Sequence, residues 1–158
     1  MRRLIIGTRG SSLSLCQTEI VRARLEERVP GLACTVKTIK AKADRNPEVP
    51  LVALGGEGIF VKELEAALLD GEVDVAVHSM KDLPLDLPPA LTIAAVLARE
   101  EPRDALVSRS GMELEALPRG ARVGTSSLRR RSQLLHRRRD VDVCDIRGNV
   151  DTRLRKLD

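Results

Sequence analysis

The chain holds 158 residues, 42% of them apolar and 32% charged, with a net charge of +4. That balance excludes a disordered chain, no run of residues is long and apolar enough to span a membrane, and the length admits one domain or two small ones. With a single Phe and no Tyr or Trp, the core must be built of Leu, Val, Ile and Ala. Single-stranded nucleic-acid binding is disfavoured as well, because it ordinarily stacks bases on aromatic rings.

In chain order, short apolar runs predict buried strands at Leu4–Ile6, Thr35–Ile39, Val73–Val77, Leu91–Val96, Ala105–Val107, Arg122–Val123 and Val141–Ile146. Between them, helical spacing predicts Ser12–Val29, with an apolar face of Leu13, Cys16, Ile20, Ala23 and Leu25 closed by Pro30-Gly31. Further helices are predicted at Phe60–Leu69, Leu128–Leu135 and Val150–Leu157. Strand–helix alternation argues for an α/β fold with a largely parallel sheet. Lys42–Gly58 is a long, weakly apolar segment of the kind used as a lid or binding loop, and Leu83–Pro89 is a proline-rich connector. Glu100-Glu101-Pro102-Arg103 marks a plausible domain boundary.

The three cysteines, Cys16, Cys34 and Cys144, are odd in number and widely spaced. They predict buried small hydrophobes in a reducing cytoplasm, with neither a disulfide framework nor a metal site. The N-terminal MRRLIIGTRG has too short an apolar stretch for a signal peptide.

Four strand-to-loop turns share one chemistry: Gly7–Ser12, His78–Asp82, Gly124–Arg130 and Arg147–Arg153. In an open α/β sheet, ligands collect at the carboxyl ends of the strands, where helix N-termini favour anions. Glycine lets backbone approach closely, hydroxyls donate, and Arg grips a carboxylate or phosphate with two parallel bonds. Ser or Thr before a helix is ordinarily just an N-cap. A cap needs no Arg, however, and three of these turns carry Arg while the fourth carries Lys81. Arg129 and Arg130 fall in a first helical turn, against the helix dipole, which points to a functional reason. Arg137–Arg139 reads as a solvated face. Asp82 is the exception among the cations. It is either a local charge partner or a carboxylate that stabilises positive charge on a substrate and manages protons. His78 has the chemistry of a general base, although a single His beside a strand is more commonly a packed, hydrogen-bonded residue.

At these residues the sequence resembles the porphobilinogen deaminase (hydroxymethylbilane synthase) family. The matching segments are GTRGSSLSL (7–15), GGEGIFVKELEAALL (55–69), VDVAVHSMKDLP (73–84), REEPRDALVS (99–108), VGTSSLRRRSQL (123–134) and DIRGNVDTRLRKLD (145–158). The resemblance implies an enzyme that condenses four porphobilinogen molecules, releasing ammonia at each step, on a dipyrromethane cofactor bound to a Cys. It implies that Asp82 is the catalytic carboxylate. Arg9, Ser11, Arg147 and Arg153 match substrate contacts, and Ser79, Lys81, Thr125, Ser127, Arg129 and Arg130 match cofactor contacts. It also implies a mobile loop at Lys42–Gly58. The implied fold is two domains resembling type II periplasmic binding proteins, with mixed, mainly parallel sheets flanked by helices. Domain 1 is expected at 1–97, a hinge at 98–102 and a partial domain 2 at 103–158; a third, smaller domain is expected to be absent. Family members are usually monomeric and cytoplasmic.

Two departures from the family pattern stand out. Glu57 occupies a position where some relatives carry Lys. None of the three cysteines matches the cofactor-attachment position, so the chain resembles an N-terminal portion and is not expected to hold the cofactor covalently or to turn over alone. Two other readings compete. A small-anion binding module would gain little from Asp82 in its pocket. Nucleic-acid binding through the Arg-rich 119–139 stretch would weaken steeply with salt.

Overall fold

The computed structural model describes residues 2–40 and 61–157, so the Lys42–Gly58 loop, Glu57 and Phe60 lie outside the described residues. The chain divides into two compact units, Met1–Ala98 and Arg99–Asp158. Both are α/β with parallel pairing.

The first unit is a three-stranded parallel sheet in the order β2-β1-β3. Its strands are β1 (Arg2–Thr8), β2 (Leu32–Thr38) and the short β3 (Val75–Ala76). Central β1 pairs along its whole length with β2, from Arg2↔Leu32 to Thr8↔Thr38, and with β3 at Ile6↔Val75 and Gly7↔Ala76. Helices α1 (Ser12–Arg28) and α2 (Lys62–Leu69) connect the strands. The core is Ile6, Val61, Leu64, Ala67 and Val73, every one of them aliphatic. Gly7 lies inside this core: a Cβ there would stand 2.9 Å from Leu64 Cδ2 and 3.0 Å from Val73 Cγ2. The close approach of β1 to α2 therefore depends on the missing side chain.

Helix α1 has the predicted extent but the opposite facing. Leu13 and Ile20 are 49% and 42% exposed, and Cys16 is exposed rather than buried. The side turned inward carries Ser14, Gln17, Thr18, Val21 and Leu25, with Thr18 fully buried. Hydrogen bonding sets this facing: Thr18 Oγ1 lies 2.7 Å from Thr8 Oγ1 on the sheet and 2.8 Å from the Ser14 carbonyl oxygen. Burying those hydroxyls without partners would cost more than exposing two aliphatic side chains.

The second unit contains the parallel pair β4 (Arg122–Gly124) and β5 (Asp142–Cys144), in register from Arg122↔Asp142 to Gly124↔Cys144. Helices α3 (Leu128–Arg137) and α4 (Val150–Leu157) follow the two strands. Val123, Val141 and Val143 form the core, with Leu117, Ala121, Leu134 and Leu135 packed on it. Cys34 and Cys144 are half-buried.

Two predicted strands do not form. Leu91–Val96 and Ala105–Val107 carry no sheet pairing among the described residues, and Ile93, Val96 and Val107 are 47%, 67% and 54% exposed. An apolar run suits a strand only where a neighbour takes its backbone hydrogen bonds, and neither run has one among the described residues.

Arg138 departs from the surface face predicted for Arg137–Arg139. It is half-buried; its guanidinium grips both oxygens of Asp140 at 2.8 and 2.9 Å and donates to the carbonyls of Leu114, Glu115 and Leu117. It thereby ties the 3-10 turn Leu114–Ala116 to the C-terminal end of α3. Its neighbour Arg137 makes an exposed pair with Glu115. The Arg138 bonds hold the Asp140 carboxyl at about 2, below its ordinary 3.8. A carboxylate with a depressed folded pKa stabilises the fold above its unfolded value, and that contribution disappears as pH falls toward the folded one.

Two outcomes follow. Asp140→Asn should lower the melting temperature at pH 6, and the gap to the unaltered chain should close between about pH 4 and pH 2 in thermal melts. Gly7→Ala should cost about 1–3 kcal/mol in denaturant unfolding, because Leu64 and Val73 must give way.

Candidate functional site: two pairs of turns at parallel strand ends

Parallel pairing decides which residues meet. In the first unit β1 and β3 are neighbours running in the same direction. The turns that leave them, Arg9–Ser11 and Val77–Asp82, therefore emerge side by side at one edge of the sheet. Val77 N–H extends the pairing by donating to the Gly7 carbonyl at 3.0 Å. The structure thus brings Arg9 and Ser11 together with Ser79, Lys81 and Asp82.

Ser11 is the N-cap of α1: its hydroxyl accepts from the Ser14 N–H at 3.2 Å and lies 2.8 Å from Ser14 Oγ. The first turn of α1 holds no acidic residue, so the positive end of its dipole is left uncompensated from within the helix. Ser79 donates to Gln17 Oε1 of α1 at 3.0 Å, which ties the second turn to the helix that grows from the first. Met80–Asp82 forms a single 3-10 turn, with Asp82 N–H donating to the Ser79 carbonyl at 2.9 Å. Lys81 is exposed and Asp82 half-buried.

His78 lies in the same turn. Burial pushes its imidazole below the ordinary 6.5, the negative field of Asp82 opposes that shift, and the positive field of Arg9 adds to it. Asp82 and Arg9 both act on His78, so the three form one electrostatic group. At neutral pH His78 is an uncharged member of that group.

The second unit repeats the arrangement. Neighbouring β4 and β5 release the turns 125–127 and 145–149 at one edge, and Ser126 Oγ donates to the Ile146 carbonyl at 2.9 Å, joining them. Thr125 is buried, anchored by its N–H to the Cys144 carbonyl at 2.8 Å, and its Oγ1 accepts from the Ser127 N–H at 3.2 Å. Ser127 caps α3 through the Arg130 N–H at 3.4 Å. The hydroxyls of Ser11, Thr125 and Ser127 thus shape turns, and the donors they leave to a ligand are backbone N–H groups and neighbouring cations.

Arg129 and Arg130 fall in the first turn of α3, as the sequence predicts, and both are exposed. Arg130 is already paired with Asp104 at 2.7 Å. In the other turn Arg153 donates to the Gly148 carbonyl at 2.7 Å, and Lys156 donates to the Arg147 carbonyl at 3.2 Å. Gly148 is obligatory here. Its φ is +118°, and a Cβ would come within 2.7 Å of Thr152 Cγ2.

Gln17 and Thr18 are the residues of these turns that reasoning from sequence missed. The available signal was a β-branched polar residue, Thr18, inside a long helix, where propensity does not favour it; Gln17 suits a helix and gave no such signal.

In each unit, cationic side chains beside a helix N-terminus are donors of the kind that bind carboxylates. Residues 4–158 match the family model described as "Porphobilinogen deaminase, dipyromethane cofactor binding domain". The chain is 57% identical over 157 residues to the porphobilinogen deaminase of Shouchella clausii, covering 99% of this chain and 50% of that protein. It is 54% identical over 155 residues to that of Syntrophotalea carbinolica, covering 98% and 49%. With the porphobilinogen deaminase of Nitratidesulfovibrio vulgaris the identity is 54% over 158 residues, covering 99% and 50%. The chain therefore spans about half the length of the curated relatives it matches.

An NMR titration of His78 should give a midpoint below 6.5. Asp82→Asn should move that midpoint further down, because it removes the field that favours the imidazolium, and Arg9→Ala should move it up.

Proposed function

Because the chain belongs to the porphobilinogen deaminase family, we propose that it forms the substrate- and cofactor-binding part of an enzyme that condenses porphobilinogen, with loss of ammonia, into linear hydroxymethylbilane. The single observation that carries this reading is the parallel β1–β3 pairing, which sets Arg9 and the cap of α1 beside Lys81 and Asp82.

Each pyrrole of porphobilinogen carries an acetate and a propionate. Arg9 and the backbone N–H groups of the α1 first turn bind such carboxylates in the first unit, with Ser11 holding the turn in shape. Arg147 and Arg153 do the same in the second. Lys81 in the first unit, and Arg129 in the second, each offer a cation of the kind that binds a dipyrromethane carboxylate, with Arg130 able to add another by exchanging Asp104; Ser79 fixes the turn that presents Lys81, and Thr125 and Ser127 fix the one that presents Arg129. A dipyrromethane bound there supplies the primer that the pyrrole units extend. Its donor requirements fit the residues present, although none of Cys16, Cys34 and Cys144 matches the family's attachment position.

Asp82 has the central role. When the aminomethyl nitrogen of porphobilinogen leaves as ammonia, positive charge develops on the pyrrole and spreads to its ring N–H. A carboxylate near that N–H stabilises the charge through a charge-assisted hydrogen bond, and it is worth most where water is partly excluded. The half-buried position of Asp82 supports this. Neutral His78 beside it adds no competing positive charge.

The reading extends to architecture. The two units are the cores of two domains resembling type II periplasmic binding proteins, 1–97 and 103–158, with 98–102 as hinge; their division at Ala98/Arg99 supports that. The protein works as a cytoplasmic monomer. Residues 1–158 alone do not complete turnover, a reading supported by the share of the relatives that they span.

In a full-length enzyme carrying this chain, Asp82→Asn should reduce kcat by about 10²–10⁴-fold while changing substrate affinity only a few fold. Undiminished turnover by that variant would remove Asp82 from the chemistry and leave a carboxylate-binding module. Residues 1–158 mixed with porphobilinogen should release no hydroxymethylbilane; its appearance by absorbance after acid cyclisation would refute the need for further sequence.

A further inference from the structure

The inward face of α1 is polar where an α/β helix ordinarily presents aliphatic side chains to its sheet. Thr8 and Thr18 are both fully buried, with their Oγ1 atoms 2.7 Å apart, and both reach the Ser14 carbonyl, Thr18 at 2.8 Å and Thr8 at 3.3 Å. Each hydroxyl has one proton, so one Thr donates to the other and the second donates to the carbonyl; neither is left unsatisfied. Ser14 in turn donates its N–H to the Ser11 hydroxyl. A continuous chain of hydrogen bonds thus runs from the end of β1, through the first turns of α1, back to the cap. Between its ends lie Arg9 and Gly10. One residue before Thr18, Gln17 accepts from Ser79 in the neighbouring turn at 3.0 Å.

We propose that Thr18 and Gln17 are positioning residues: Thr18 locks the Arg9–Ser11 turn against the end of β1, and Gln17 sets the Ser79–Asp82 turn at a fixed distance from it. The proposal rests on the reading that these turns bind a carboxylated pyrrole. The hydroxyl pair sets the facing of α1, but packing alone could be met by other side chains. A Val at position 18 would fill the same volume with one buried hydroxyl fewer to satisfy, since Thr8 could still donate to the Ser14 carbonyl, and an aliphatic residue at 17 would suit the helix as well. What the hydroxyl chain adds is direction, because hydrogen bonds fix angle and distance where aliphatic contact does not. The two residues act one turn each: Thr18 on the turn that holds substrate carboxylates, Gln17 on the turn that carries Asp82.

The test uses a full-length enzyme carrying this chain. Thr18→Val should raise KM for porphobilinogen about tenfold, the equivalent of one lost hydrogen bond, with kcat little changed, and Thr18→Ser should restore KM. Gln17→Leu should lower kcat more than it raises KM. A Thr18→Val enzyme with unaltered KM overturns the proposal even if its melting temperature falls, since that is what a purely structural role predicts. If the unsubstituted enzyme does not act on porphobilinogen, the functional reading fails instead. The lock is then judged on backbone exchange in residues 1–158. Thr18→Val should speed amide exchange at Arg9–Ser12 and leave Ile5 and Ile6 protected, whereas unchanged exchange at Arg9–Ser12 refutes it.

Discussion

The parallel pairing of β1 is the constraint from which the first unit's chemistry follows. Parallel neighbours end at the same edge, so the register Ile6↔Val75 and Gly7↔Ala76 fixes where both turns begin. The register is itself secured by packing: Ile6 is fully buried, and Gly7 has no Cβ because Leu64 and Val73 occupy that space. A slip by one residue would drive Ile6 out of the core and turn Thr8 away from Thr18. The same logic recurs in the second unit, where Gly124 and Ile146 are in close contact and Ser126 bridges the two turns.

Much of this was legible in the sequence. Helices α1, α3 and α4 start at the residues their caps and patterns indicate, and the strands leading into the four turns form where apolar runs predict them. Arg129 and Arg130 fall in a first helical turn as their position after Thr125-Ser126-Ser127 implies. Asp82 could be singled out because a carboxylate among cations needs a reason.

What was not legible depended on partners distant in the chain. The stripe Leu13, Cys16 and Ile20 has helical periodicity, yet α1 turns it outward, because the decisive contact is made by Thr8, ten residues before Thr18. Leu91–Val96 and Ala105–Val107 have strand composition but find no neighbour among the described residues, and pairing, unlike composition, is not a local property. Arg138 is indistinguishable from Arg137 and Arg139 by sequence. Only the fold brings three backbone carbonyls from 114–117 to its guanidinium. Likewise, sequence names Ser11 and Ser127 as ligand contacts or as caps with equal ease; geometry shows their hydroxyls accepting from the chain itself.

The pairing of Arg130 with Asp104 makes this end of α3 an ion exchanger rather than an open cation. An anion that takes over the Arg130 Nη2 donor displaces a carboxylate that belongs to the protein, and it succeeds only by offering more than Asp104 does. A small monovalent ion such as chloride offers a single point charge. A molecule with several carboxylates engages Arg129 and the helix N-terminus in the same event, and so repays the exchange. A carboxylate in that position raises the cost of engaging Arg130 for a solute of low valence, by the modest amount that an exposed pair is worth.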